Sequence, residues 1–130
     1  MKYNAMNIEP IILCVDDEPG VLLYLERQLY RCCGCRVICV ESGMDALRCL
    51  DQTVVDAVIV DLRLPDINGK ELLSQVADRW PDITRILVTG SAAAMSSDIV
   101  GEHLSIQYLL DKPWKEQDLI RIVEAVGHKR

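Results

Sequence analysis

Four apolar runs in this chain are each followed by residues able to handle charge. Asp16-Asp17 follow Ile11 to Val15, Asp61 follows Val58 to Val60, Thr89 follows Ile86 to Val88, and Lys112 follows Tyr108 to Leu110 with Asp111 between. Carboxylates that share a site repel, and two unit charges ~4 Å apart at an effective dielectric of ~20 cost about 4 kcal/mol. A divalent cation relieves this, and Mg2+ suits one or two carboxylates together with waters and phosphate oxygens. Lys112 adds a second positive charge, and the Thr89 hydroxyl can donate to an oxygen that arrives on Asp61. Such a set can stabilise a phosphoryl group moving onto a carboxylate, by positioning and charge neutralisation. Each member has a plainer reading on its own. Asp16, Asp17 and Asp61 could be helix-flanking acids, Thr89 a strand end, and Lys112 a solvated cation.

What would bring them together is a sheet. The chain is organised around VVDAVIVDLRLPDING, residues 54–69. Its apolar, mostly β-branched run without alternation reads as a strand buried on both faces, as in a parallel sheet. Asp61 then stands at the strand's carboxyl end, where open α/β sheets bind ligands. Leu62 to Pro65 make a stiff loop, and Asn68-Gly69 turns the chain into a helix.

The other elements follow the same pattern. Ile11 to Val15 is a buried strand, and Pro19 opens a helix whose Leu22, Leu25 and Leu29 face the core until Gly34 stops it. Val37 to Val40 is a second strand, and Ser42-Gly43 begins a helix carrying Ala46, Leu47 and Leu50. The third helix buries Leu72, Leu73, Val76 and Trp80. After the strand Ile86 to Val88, the segment SAAAMSSDIVGEHL is a poor helix candidate, interrupted by Gly101, and is expected to be the most mobile element. Tyr108 to Leu110 form a fifth strand, here with Tyr108 exposed, and Leu119, Ile122, Val123 and Val126 mark the last helix. Five strands alternating with helical segments read as a doubly wound α/β domain over residues 10–127. Residues 1–9 form a flexible lead and 128–130 a tail.

Composition narrows the function classes. At 130 residues, half of them apolar, the chain makes one domain with a real core. A net charge of −6 argues against direct nucleic-acid binding. No signal peptide or membrane span is evident, so a cytoplasmic location away from membranes is expected. Of the six cysteines, Cys32, Cys33 and Cys35 cluster in RCCGCR. A Cys-x-x-Cys pair can be redox-active or bind zinc, but this one follows a helix and has no second ligand pair. Buried small apolar side chains are the expectation for them.

Taken together, the motifs resemble the receiver domain of two-component response regulators, from about residue 10 to residue 127. ILCVDDEP carries the acidic pair Asp16 and Asp17, and DLRLPDINGKEL carries Asp61 with Pro65 and Gly69 at the family's spacing. RILVTG carries Thr89, and LLDKPW carries Lys112 before Pro113. The resemblance implies a flavodoxin-like five-stranded parallel sheet of order 2-1-3-4-5 with helices on both faces, and a cis Lys112–Pro113 bond. It implies phosphoryl transfer to Asp61 from a sensor histidine kinase or phosphotransfer protein. Asp16, Asp17, Asp61 and the backbone carbonyl of Arg63 would hold Mg2+, with Thr89 and Lys112 completing the site. The fourth helical segment, fifth strand and last helix would change to control a partner or output domain, and a phosphorylation-linked dimer is compatible with this. Such a chain is no enzyme beyond its own phosphorylation and dephosphorylation. Arg63 and Ser91 hold positions that tune phosphoryl lifetime in the family.

One position departs from the pattern. Where the family usually carries Tyr or Phe, three residues before the lysine, this chain has Leu109, with Tyr108 beside it on the opposite strand face. A degenerate receiver acting as an interaction scaffold is therefore an alternative. A haloacid-dehalogenase-like phosphatase is a weaker one, because Arg63 stands where that class needs a second Asp. The chain reads as a free-standing receiver or as the receiver of a longer regulator.

Overall fold

A computed structural model describes residues 9–90 and 105–126. The lead before residue 9, the segment after Gly90 with its expected mobile helix and Ser91, and the tail 128–130 lie outside the described residues. In chain order the elements are β1 (Ile11–Val15), α1 (Pro19–Cys33), β2 (Arg36–Val40), α2 (Gly43–Gln52), β3 (Ala57–Asp61), α3 (Gly69–Arg79), β4 (Thr84–Thr89), β5 (Tyr108–Asp111) and α4 (Glu116–Val126). The strands form one sheet of order β2-β1-β3-β4-β5, and every pairing is parallel. This is the expected doubly wound architecture.

β1, β3 and β4 are buried along their whole length, which explains their unbroken apolar runs. Alternate strand residues feed two cores. Ile12, Cys14, Ile59 and Ile86 pack with α1 and α4 through Leu22, Leu25, Leu29, Leu119 and Val123. Leu13, Val58, Val60 and Leu87 pack with α2 and α3 through Ala46, Leu50, Leu72, Leu73 and Val76. α1 starts on Pro19 and ends on Gly34, whose left-handed backbone (φ 66°) returns its N–H to the Leu29 and Tyr30 carbonyls.

Several side chains depart from expectation. Tyr108 is half-buried and packs against the α1–α4 core, because its side of β5 faces that layer. Trp80 is the C-cap of α3 and only half-buried, with the Arg79 guanidinium 4.3 Å above its ring. Among the cysteines only Cys14 and Cys35 are buried, while Cys39 is exposed because β2 is an edge strand. The Cys32 and Cys33 sulfurs lie 2.9 Å apart, and burial pushes the Cys33 thiol up.

One polar tie connects the loop after β3 to the neighbouring layer. The Asp66 carboxylate accepts from the Gly43 N–H at 2.9 Å and the Met44 N–H at 2.8 Å, at the start of α2. These bonds hold its pKa below the ordinary 3.8. The stabilisation is complete above that ordinary value and disappears as pH falls through the lowered folded value. Asp66 is exposed, so solvent screens these bonds, and Asp66→Ala should cost at most about 1 kcal/mol near neutral pH. Urea melts at pH 7 and below pH 3 would show the difference from wild type shrinking in acid.

Candidate functional site

The parallel register assembles the site. Val15 pairs with Val60 and Asp61 pairs with Val88, so Asp16 and Asp61 emerge side by side at the carboxyl edge on the α1–α4 side. Thr89 pairs with Asp111, which puts Lys112 one residue beyond the same edge. The Lys112 N–H donates to the Thr89 carbonyl at 2.9 Å, and the Lys112–Pro113 peptide is cis, as the resemblance implied.

Lys112 Nζ lies 2.8 Å from Asp61 Oδ1, 3.3 Å from Asp16 Oδ2 and 3.9 Å from Glu18 Oε1. Burial lowers the lysine's pKa, but the Asp61 hydrogen bond and the charges of both aspartates outweigh it and leave the pKa raised. Burial pushes the Asp16 carboxyl up, and the Asp61 charge pushes it further, against the bonds from the Glu18 N–H and Lys112. The other Asp61 oxygen accepts the Arg63 N–H at 3.1 Å.

The site opens into a cleft of about 500 Å³ lined by Asp17, Glu18, Asp61, Leu62, Arg63, Thr89, Gly90 and Lys112. Asp61 and Thr89 are buried in its wall, and Asp17 and Glu18 are exposed at its mouth. Oxygens of Asp16, Asp17 and Glu18 lie within 4.8 Å of one another, the one such cluster among the described residues. Hard carboxylate donors beside an open cleft fit a small divalent cation such as Mg2+.

All the sequence-derived candidates, Asp16, Asp17, Asp61, Arg63, Thr89 and Lys112, therefore gather at one edge. Asp61 stands outside the three-carboxylate cluster and is held by Lys112 instead. The plainer reading fails for Lys112, which is not freely solvated but pairs with Asp61 and Asp16. Asp16 does flank α1, and its carboxylate accepts the Glu18 N–H at 2.9 Å. Glu18 was not among the candidates. An acid just before Pro19 reads as favouring the helix dipole, and only the fold shows its carboxylate converging with those of Asp16 and Asp17.

Gly69 fixes how closely the loop packs under Asp61. Its N–H donates to the Leu62 carbonyl at 2.8 Å, and a Cβ there would overlap the Asp61 carbonyl oxygen and lie 2.9 Å from Leu62 Cα. These are backbone atoms with nowhere to move.

Comparison with known proteins places this geometry. The family model described as the response regulator receiver domain matches residues 12–124. The chain is 34% identical over 124 residues to the hydrogenase transcriptional regulatory protein HoxA of Bradyrhizobium diazoefficiens, covering 93% of this chain and 25% of that one. It is 37% identical over 123 residues to HoxA of Cupriavidus necator, covering 89% and 24%. The chain thus spans about a quarter of the length of these relatives. Among solved structures, an uncharacterised protein from Neptuniibacter caesariensis matches with a TM-score of 0.84 and 36% identity, covering 92% of this chain and 89% of that one. The signal receiver domain of an HD domain-containing protein from Pseudomonas fluorescens Pf-5 matches at 0.81 and 28%, covering 92% and 94%.

Two glycines make a matched test of the packing. Gly69→Ala should destabilise by roughly 1–3 kcal/mol, the cost of overpacking. Gly20→Ala, where nothing lies within 4 Å, should stabilise α1 by roughly 0.5–1 kcal/mol. Thermal melts of the two variants should move in opposite directions.

Proposed function

This chain belongs to the response regulator receiver family, and we propose that it is a phosphorylation-dependent switch whose phosphoacceptor is Asp61. Receiver domains are signalling switches rather than conventional enzymes. What most supports the assignment to Asp61 is the Lys112 ammonium, 2.8 Å from Asp61 Oδ1 and 3.3 Å from Asp16 Oδ2 at an open cleft. A cation held there can neutralise phosphoryl oxygens as well as carboxylates.

The donor is a phosphohistidine on a sensor histidine kinase or phosphotransfer protein. An Asp61 carboxylate oxygen attacks phosphorus, the P–N bond breaks, and the imidazole nitrogen keeps the electron pair. Asp16, Asp17 and Asp61 with the Arg63 carbonyl would hold Mg2+, and Glu18 stands beside them. When bound, the ion supplies charge neutralisation for the carboxylates and the phosphoryl oxygens. Lys112 holds a phosphoryl oxygen from the opposite side, and the Thr89 hydroxyl donates to another.

Moving Thr89 toward that oxygen pulls on β4 and, through the Thr89–Lys112 backbone bond, on β5. The face containing β5 and α4 then changes its population between two states and its affinity for a target or output domain. Leu109 pairs with Leu87 on the strand face opposite Tyr108, the side that Thr89 also takes, so the switch works there without an aromatic swing. The domain spans residues 10–127 and works in the cytoplasm; no helix among the described residues is long and apolar enough to cross a membrane.

Incubation with acetyl phosphate and Mg2+, followed by intact-mass and peptide mass spectrometry, tests this. One phosphoryl group should appear on Asp61 and be absent in Asp61→Asn or after chelation of Mg2+. Lys112→Ala should slow labelling by roughly 100- to 1,000-fold. No labelling of the wild type would point to a scaffold, and turnover of unrelated phosphate esters to a phosphatase.

A further inference from the structure

Gln28 sits on the core face of α1 between Leu25 and Leu29, only 3% exposed, where an apolar residue would continue the stripe. A buried amide needs partners, and this one finds them across the layer. Its Oε1 accepts from Trp114 Nε1 at 2.7 Å, and its Nε2 lies 3.5 Å from both Tyr24 Oη and Glu116 Oε2. The Tyr24 and Trp114 ring centroids are 5.9 Å apart, and Glu116 also pairs with Arg31 at 3.1 Å. The chain from Trp114 to Glu116 is thus fastened to α1, starting two residues after Lys112.

Lys112 therefore lies between two anchors. On one side its N–H bonds the Thr89 carbonyl, and on the other Trp114 is held by Gln28. A lysine side chain has many rotamers, so where its ammonium sits depends on how firmly its backbone is held. The Trp114 ring also closes a small cavity of about 10 Å³ that Asp16, Asp61, Ile59 and Val88 share. That space admits about one water at most.

We propose that Trp114 and Gln28 are positioning residues for phosphoryl transfer: their hydrogen bond fixes the chain that carries Lys112 against α1, and so fixes where the ammonium meets Asp61. This rests on Asp61 being the phosphoacceptor. Trp114→Phe keeps a ring but strands the Gln28 oxygen, and Gln28→Met removes the acceptor at similar volume. The double variant removes both partners, so no buried acceptor is left stranded.

The test measures acetyl phosphate labelling rates at saturating Mg2+, Mg2+ affinity by calorimetry, and thermal melts. Each single variant should label roughly three- to tenfold more slowly, the worth of one hydrogen bond, with Mg2+ affinity unchanged. The double variant should recover stability toward wild type yet label no faster than the singles. In a Lys112→Ala background, Trp114→Phe should cost nothing further. Unchanged rates, a rate that recovers together with stability, or an equal loss without the lysine would each overturn the proposal. A wild type that does not label at all would overturn the phosphoacceptor assignment itself, and this inference with it.

Discussion

Asp16 and Asp61 stand side by side because β1 and β3 are parallel neighbours in a fixed register. Their mutual repulsion is built into the fold and cannot be relaxed by moving either strand, since both are packed on two faces. The Asp16 pKa is raised mainly by burial, and the neighbouring Asp61 charge adds to that. Lys112 offsets the repulsion by bridging the pair, but it is one cation among several acids. The edge retains a surplus of negative charge that a divalent ion would offset, and a lysine placed to meet an anion that such an ion would bring. Removing one partner of such a part-buried set leaves the remaining charges uncompensated, which is why the site works as a unit.

The rest of the structure holds these groups in place from several directions. Gly69 lets the loop after β3 close directly against the Asp61 backbone. Asp66 ties the same loop to α2. On the opposite face, Trp114 and Gln28 tie the loop after β5 to α1. A rigid sheet thus presents the carboxylates, while loops pinned to three helices set the groups that answer them.

Much of this was legible in the sequence. Unbroken apolar runs marked β1, β3 and β4, and each polar residue that ended a run proved to lie at the carboxyl edge. Strand order was not readable from periodicity and came from the resemblance carried by four short motifs. Other features escaped because one residue type fits two roles. Glu18 reads equally well as an acid near a helix start. Tyr108 was expected exposed, but which layer covers its side of β5 depends on where α4 lies. Cys39 was expected buried, and only the strand order makes β2 an edge. Gln28 looks like an interruption of the α1 stripe until Trp114, far along the chain, supplies its partner.

Lys112 bridges Asp16 and Asp61 at rest, and in the proposed switch it turns to the phosphoryl group once one arrives. A crystal structure with Mg2+ and beryllofluoride, an aspartyl phosphate mimic, tests it most directly. The expected result is the adduct on the Asp61 carboxylate, with Lys112 Nζ bonded to the adduct and the ion beside Asp16 and Asp17. An unmodified Asp61 still paired with Lys112 under saturating conditions, or an adduct that Lys112 does not touch, would contradict it.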